Sequence, residues 1–138
     1  MKFEIEGIPV AKIRHRTLKC GRSYDPKEKE KILWKTLVRK EWLKFTSGML
    51  KNQPLYVKLY FGMPIPKSLS KRKRSSLYWH TKKPDADNLA KFILDVMNGI
   101  VYEDDKDVCW LFMKKVYTTR PRVEIEILIA GIDNDRLP

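Results

Sequence analysis

Apolar and polar positions alternate where strands are to be expected along this chain. Phe3-Glu4-Ile5-Glu6 opens a strand over 3–10 that ends at Gly7-Ile8-Pro9-Val10, and Leu55 to Phe61 is a β-rich run closed by Pro64 and Pro66. Val108 to Tyr117 is rich in aromatic and branched residues, and Val123-Glu124-Ile125-Glu126-Ile127 alternates as a half-buried strand. Two stretches carry helical spacing instead. Asp25-Pro26-Lys27-Glu28 has the form of a capped helix start, and Leu33, Leu37 and Val38, with Trp34 and Trp42 as core anchors, carry that helix to about Phe45. Leu89, Phe92, Ile93 and Val96 fall at i, i+3, i+4 and i+7, with Asp87 or Asn88 as the cap and Gly99 as the C′ residue. Ile100-Val101-Tyr102 then reads as a short returning strand. The length of 138 residues suits one domain, 1–138, with a polar tail from about 131.

Charge changes the picture. The chain holds 29 Lys and Arg against 17 Asp and Glu, a formal net charge of +12, which favours a phosphate-rich partner. The basic residues cluster. Lys12, Arg14 and Arg16 follow the first strand. From Pro64 to Pro84 there is no acidic residue, while Lys67, Lys71, Arg72, Lys73, Arg74, Lys82 and Lys83 all fall there, as expected of a mobile loop that meets nucleic acid. In the same segment Tyr78 and Trp79 either stack on bases or anchor the loop's return to the core. No apolar run approaches the ~20 residues needed to span a bilayer, and no signal-peptide core opens the chain, so a cytoplasmic protein is expected. Cys20, Cys109, His15 and His80 show no zinc-site spacing, and the two thiols are read as buried or incidental.

Against this basic background stands an acidic knot. Asp85 and Asp87 are two apart after Pro84, and an extended backbone there points both carboxylates to one side. Lys91 lies one helical turn beyond Asp87. Glu103, Asp104 and Asp105 arrive after the glycine-ended helix, and a returning strand beside Asp85 lets one of them complete a three-carboxylate site. Asp95 and Asp107 are read as ordinary surface acids, Asp95 as an i, i+4 partner for Lys91. Hard oxygen ligands among basic residues suit Mg²⁺ held against phosphate oxygens. Metal-dependent chemistry on a nucleic-acid backbone is the implied class.

Lys83-Pro84-Asp85-Ala86-Asp87-Asn88-Leu89, Lys91, Asp95, Asn98-Gly99 and Asp104-Asp105 closely resemble the signature of the RusA-type Holliday junction resolvases. Gly7-Ile8-Pro9-Val10-Ala11-Lys12 with Arg14 and Arg16 resembles that family's N-terminal strand and basic turn. Lys115 and Arg120-Pro121-Arg122-Val123-Glu124-Ile125 resemble its closing strands. His15 departs from the proline the family often carries between the arginines. The resemblance implies a small single α+β domain with a mixed/antiparallel sheet and two main helices. It implies a homodimer with Mg²⁺-dependent sites, Mn²⁺ serving as a substitute, that nick opposed strands of a four-way junction or other branched DNA in recombination and repair. By motif position the metal-binding aspartates fall on Asp85, Asp87 and Asp105, the required lysine on Lys91, and a secondary role on Asp104. Lys12, Arg14 and Arg16, with Lys71, Arg72, Lys73 and Arg74, would hold the DNA arms. Competing readings are a non-catalytic nucleic-acid-binding module, a nuclease for flaps, forks or RNA hybrids, and a basic structural protein.

Overall fold

A computed structural model describes residues 1–131; the tail expected from about 131 lies, past Gly131, outside the described residues. Four strands form the main sheet: β1 (Lys2–Glu6), β4 (Leu55–Pro64), β5 (Val108–Thr118) and β6 (Arg122–Ile129), in the order β1-β6-β4-β5. β4 and β5 run parallel and the other pairs antiparallel. Two short strands, β2 (Arg16–Thr17) and β3 (Ser23–Tyr24), make a separate ribbon. Three α-helices lie among the described residues: α1 (Glu28–Trp42), α2 (Lys71–Ser75) and α3 (Ala86–Met97). The architecture is a small α+β domain with α1 and α3 as its main helices. None of the described helices is long and apolar enough to cross a membrane.

Register explains the core. Phe61 pairs with Val123, Leu59 with Ile125 and Val57 with Ile127, while Ile5 and Phe3 continue the Val123 and Ile125 rows. Alternation puts all of these on one face, and all are buried. Onto it α1 lays Trp34, Val38 and Trp42, and α3 lays Leu89, Phe92, Ile93 and Val96. The i, i+4, i+8 stripe of α1 leaves Leu33 57% exposed, so that residue does not join the core as the pattern suggested. Trp42 also donates its indole N–H to the Gly48 carbonyl at 2.9 Å, fixing the chain as it leaves the helix. Both thiols are exposed and free.

Several local expectations shift. α1 begins at Glu28 rather than Pro26, because the Asp25 carboxylate accepts the Lys27 N–H at 2.8 Å and holds a turn before the helix. The basic run forms a one-turn helix, α2, whose Ser70 hydroxyl accepts from the Lys73 amide. Ile100 to Tyr102 is a buried turn, not a strand. Tyr102 makes isolated bridges to Leu50 and Asn98, and its carbonyl accepts the N–H of Gly99, which takes a positive φ of 75°.

The opposite face of the sheet is open and polar in its middle, crossed by Lys2–Glu124 (3.4 Å), Lys58–Glu126 (3.7 Å) and Arg122–Glu124 (2.6 Å) ion pairs. Partial burial works against the Glu124 charge, but Arg122 and Lys2 together hold its carboxyl below the usual glutamate value. A depressed folded pKa stabilises the fold above the unfolded value near 4.5 and loses that contribution as pH falls through the folded value. Glu124→Gln should therefore lower Tm by a few degrees at neutral pH, and its Tm curve should converge on that of the wild type as pH falls through the depressed folded value. Parallel curves in a calorimetric pH series would rule out this linkage.

Candidate active site

The acidic motif is positioned from across the fold. Lys115 sits on the inward-facing row of β5, after Leu111 and Met113, where an ammonium must find acceptors. It donates to the carbonyls of Lys82 at 2.8 Å and Pro84 at 2.6 Å. The Lys83–Pro84 peptide is cis. Asp85 follows in extended backbone as the N-cap residue of α3, one position before Ala86. The cap therefore falls on Asp85, not on Asp87 or Asn88, and the two aspartates are related as cap and second helical residue rather than as neighbours on a strand. Unusually for a capping aspartate, the Asp85 side chain makes no capping hydrogen bond. Its carboxylate is exposed and left for another partner.

Asp87, Lys91 and Asp95 follow at i, i+4 and i+8 along one stripe of α3. Lys91 Nζ donates to Asp87 Oδ2 at 3.2 Å and holds that carboxyl below its ordinary value. The first turn of the helix also favours a negative charge there. Asp95 does not partner Lys91. Lys12 takes it, at 2.5 Å, while the Lys12 amide donates to the Asn88 carbonyl at 2.9 Å. Thus the basic segment is bound along α3 by its own backbone and side chain. Two open grooves result. One, of about 620 Å³, runs among Ile8 to Ile13, Lys27, Pro84, Asp85 and Asn88. The other, of about 710 Å³, is lined by Lys12, Arg14, His15, Asp87, Asn88 and Lys91.

The basic residues expected to hold DNA divide into two kinds. Arg14 and Arg16 are exposed and carry no ion pair among the described residues, and Lys71, Arg72 and Lys73 are likewise exposed. Lys12 is instead a tether to Asp95. Arg74 donates to the carbonyls of Leu69, at 2.6 Å, and of Lys67, stapling its own loop. Those two side chains stabilise the scaffold in place of the free phosphate contacts read from the sequence.

A second acidic group forms where the chain returns. Asp104 accepts from the Lys106 amide at 3.0 Å, which holds its carboxyl low. Asp105, in the 3-10 turn Asp105–Asp107, is pushed the other way by partial burial, a hydrogen bond with Asp104, and the charges of Asp104 and Asp95. Burial, reinforced by the neighbouring Asp105, Asp95 and Asp104 charges, also drives the Tyr102 phenol up; its hydroxyl donates to the Leu94 carbonyl at 3.1 Å. Tyr102 thus fixes the turn against the second half of α3, beside Asp95 rather than beside Asp85. Among the described residues no three His, Cys, Asp or Glu side chains gather closely enough to hold a metal ion. Asp85, Asp87 and Asp105 do not close into one three-carboxylate site within the chain.

Residues 6–128 match the family described as endodeoxyribonuclease RusA. The chain belongs to the RusA family. It is 30% identical over 134 residues to the uncharacterized protein YqaN of Bacillus subtilis (strain 168), covering 92% of this chain and 94% of that one. It is 40% identical over 78 residues to the crossover junction endodeoxyribonuclease rusA of Lactococcus phage r1t, 56% of each protein. In this RusA-family chain the feature sequence reasoning undervalued is Lys115. A lysine on the apolar row of a strand was its visible signal. Lys115→Met should speed amide exchange over residues 82–89 by about tenfold, the loss of roughly one charge-assisted hydrogen bond, with β4 and β6 unaffected. Unchanged exchange there would show that Lys115 is not the tether.

Proposed function

We propose that this chain is a Mg²⁺-dependent endonuclease that resolves four-way DNA junctions in the cytoplasm, nicking opposed strands symmetrically as a homodimer in recombination and repair. The observation that carries the reading is the Asp85 carboxylate. It caps α3 in position but not in hydrogen bonding, and lines the groove of Ile8 to Ile13, Pro84 and Asn88, which shares Lys12, Ile13 and Asn88 with the groove of Arg14, Asp87 and Lys91. The donor chemistry fits Mg²⁺: hard oxygens only, at a helix start, with phosphate and water free to supply the remaining ligands. Asp85 and Asp87 would hold the ion, and Asp105, which the turn sets beside Asp95, would serve as a further acid required for cleavage. When bound, the ion lowers the pKa of a water and offsets charge on the phosphorus.

The remaining steps belong to the protein's own side chains. Arg14 and Arg16 hold the DNA backbone along the groove, and Lys71, Arg72 and Lys73 hold it at α2, so affinity falls steeply with salt. Lys91, kept over the groove by Asp87, faces the scissile phosphate as a point charge that grows in value as negative charge accumulates. Lys115 keeps Asp85 in place through the carbonyls before it. Junction selectivity follows from two sites facing one branch point, which suits its shape rather than its sequence.

Cleavage of a labelled four-way junction, with Mg²⁺ or EDTA, tests this. Wild type should nick symmetrically only with metal and spare linear duplex. Asp85→Asn, Asp105→Asn and Lys91→Ala should each lose roughly 10²-fold or more in rate while keeping junction affinity. Binding without cutting in any divalent metal would overturn the nuclease reading and leave a DNA-binding module. Calorimetric Mg²⁺ titration gives an independent check: heat that vanishes in Asp85→Asn is expected.

A further inference from the structure

One exposed feature is unused by this site. Adjacent residues of β5 point to opposite faces of the sheet, and each holds one end of the segment leading into the acidic motif. On the inner face Lys115 binds the Lys82 and Pro84 carbonyls. On the outer face Lys114 lies 5.1 Å from the centre of the Tyr78 ring and 5.5 Å from that of Trp79. Residues 78–84 therefore wrap around the edge of β5. The backbone at the outer end is pinned: Tyr117 N–H donates to the Tyr78 carbonyl at 2.7 Å, His80 N–H to the Lys115 carbonyl at 3.2 Å, and Trp79 bridges Val116.

The side chains carried by this pinned backbone are not buried by it. Trp79 is 62% exposed, and Tyr78 and Phe112 are 50% exposed each. Tyr78 and Trp79 meet edge to face at 4.9 Å, and Phe112 stacks on Trp110 at 6.0 Å with 12° between planes. Down one face of β5, Trp110, Phe112 and Lys114 fall at successive outward positions, giving an aromatic strip that ends at a cation beneath two more rings. Rigid, exposed rings with a lysine among them are costly on a solvent-facing surface and are the elements from which single-strand binding sites are built. The charge next to the strip favours the same ligand. The segment from Pro64 to Pro84 that delivers Tyr78 and Trp79 has no acid and exposes Lys71, Arg72 and Lys73.

We propose that Tyr78, Trp79 and Phe112, with Lys114, form a stacking platform for unpaired nucleotides on the open face of the sheet, around the edge strand from the acidic motif. This deepens the branched-DNA reading and rests on it for the source of those nucleotides, the unpaired bases at a branch point. The bases lie against the exposed rings, and the Lys114 and α2 charges draw in the phosphates between them. Stacking is tolerant of sequence, so the platform selects single-stranded over duplex DNA without choosing among bases.

Anisotropy of labelled oligo(dT) and of a labelled duplex tests it, on wild type, Trp79→Ala, Trp79→Phe and Phe112→Ala. Trp79→Ala should weaken oligo(dT) binding by about tenfold, Trp79→Phe should recover most of it, and duplex affinity and the salt slope should stay put. Trp79 is exposed, so an unchanged thermal transition is expected and checks folding. Wild-type oligo(dT) affinity in Trp79→Ala, or equal loss on oligo(dT) and duplex, overturns the platform. So does sedimentation in which Trp79→Ala changes self-association while oligo(dT) affinity is unmoved, since the face would then be a contact between copies. Junction nicking reads the other site separately: nicking lost with oligo(dT) binding intact would sink the nuclease reading and leave the platform standing.

Discussion

β4 and β5 run parallel side by side, and a parallel pair cannot be closed by a tight turn. The chain must leave the end of one strand and travel back to the start of the other. It uses residues 65–107 to do so, and nearly everything with chemical character lies in that crossover: the basic α2, the Tyr78–Trp79 pair, Asp85 and Asp87, Lys91, and Asp104 and Asp105. One helix of the crossover, α3, must cover the sheet, so its apolar stripe fixes where its polar stripe points. Burial of Leu89, Phe92, Ile93 and Val96 places Asp87, Lys91 and Asp95 on a side left open. The same packing that stabilises the sheet thus orients the face that carries the acidic motif.

The two lysines of β5 show how finely that placement is set. Consecutive side chains on a strand diverge by nature, and here each catches a different part of the chain passing over the edge. Lys115 reaches carbonyls on the helix side, and Lys114 lies under rings on the open side. The acidic motif and the aromatic strip are consequently separate in surface but joined through one rigid strand.

Local signals were legible where chemistry repeats within a turn or a strand. The core stripe of α3, the Asp87–Lys91 pair, the Gly99 end and the alternation of β6 could all be read from spacing. What could not be read was decided from far away. Asp85, Asp87 and Asn88 are all competent caps, so local propensity does not choose among them; the tether that fixes the chain ahead of Asp85 comes from Lys115, 31 positions on from Pro84. Asp95 meets Lys12 across 83 positions, against a local alternative in Lys91 that looked sufficient. Ile100 to Tyr102 carries the residues of a strand because it is buried, and burial alone does not supply a neighbour to pair with. The family signature adds what this locally ambiguous information lacks, since it groups Asp85, Asp87 and Asp105 without stating where the fold puts them.

The separation of the two acidic groups also bears on how the net charge should be read. A formal +12 suggests that most cations await phosphate. Yet Lys12 neutralises Asp95, Arg74 serves two carbonyls, Lys115 serves two more, and Lys2, Lys58, Arg120 and Arg122 are paired across the open face. These cations stabilise geometry. Of the cations expected to hold DNA, Arg14 lines the groove that also holds Asp87 and Lys91, while Arg16 and Lys71 to Lys73 stand exposed without an ion pair among the described residues. At Asp105 partial burial, the hydrogen bond with Asp104 and the charges of Asp104 and Asp95 together raise the carboxyl although the protein as a whole is strongly basic. Asp95, Asp104 and Asp105 therefore sit close enough to repel one another inside a positive protein, and Lys12 and the Lys106 amide offset that repulsion only in part.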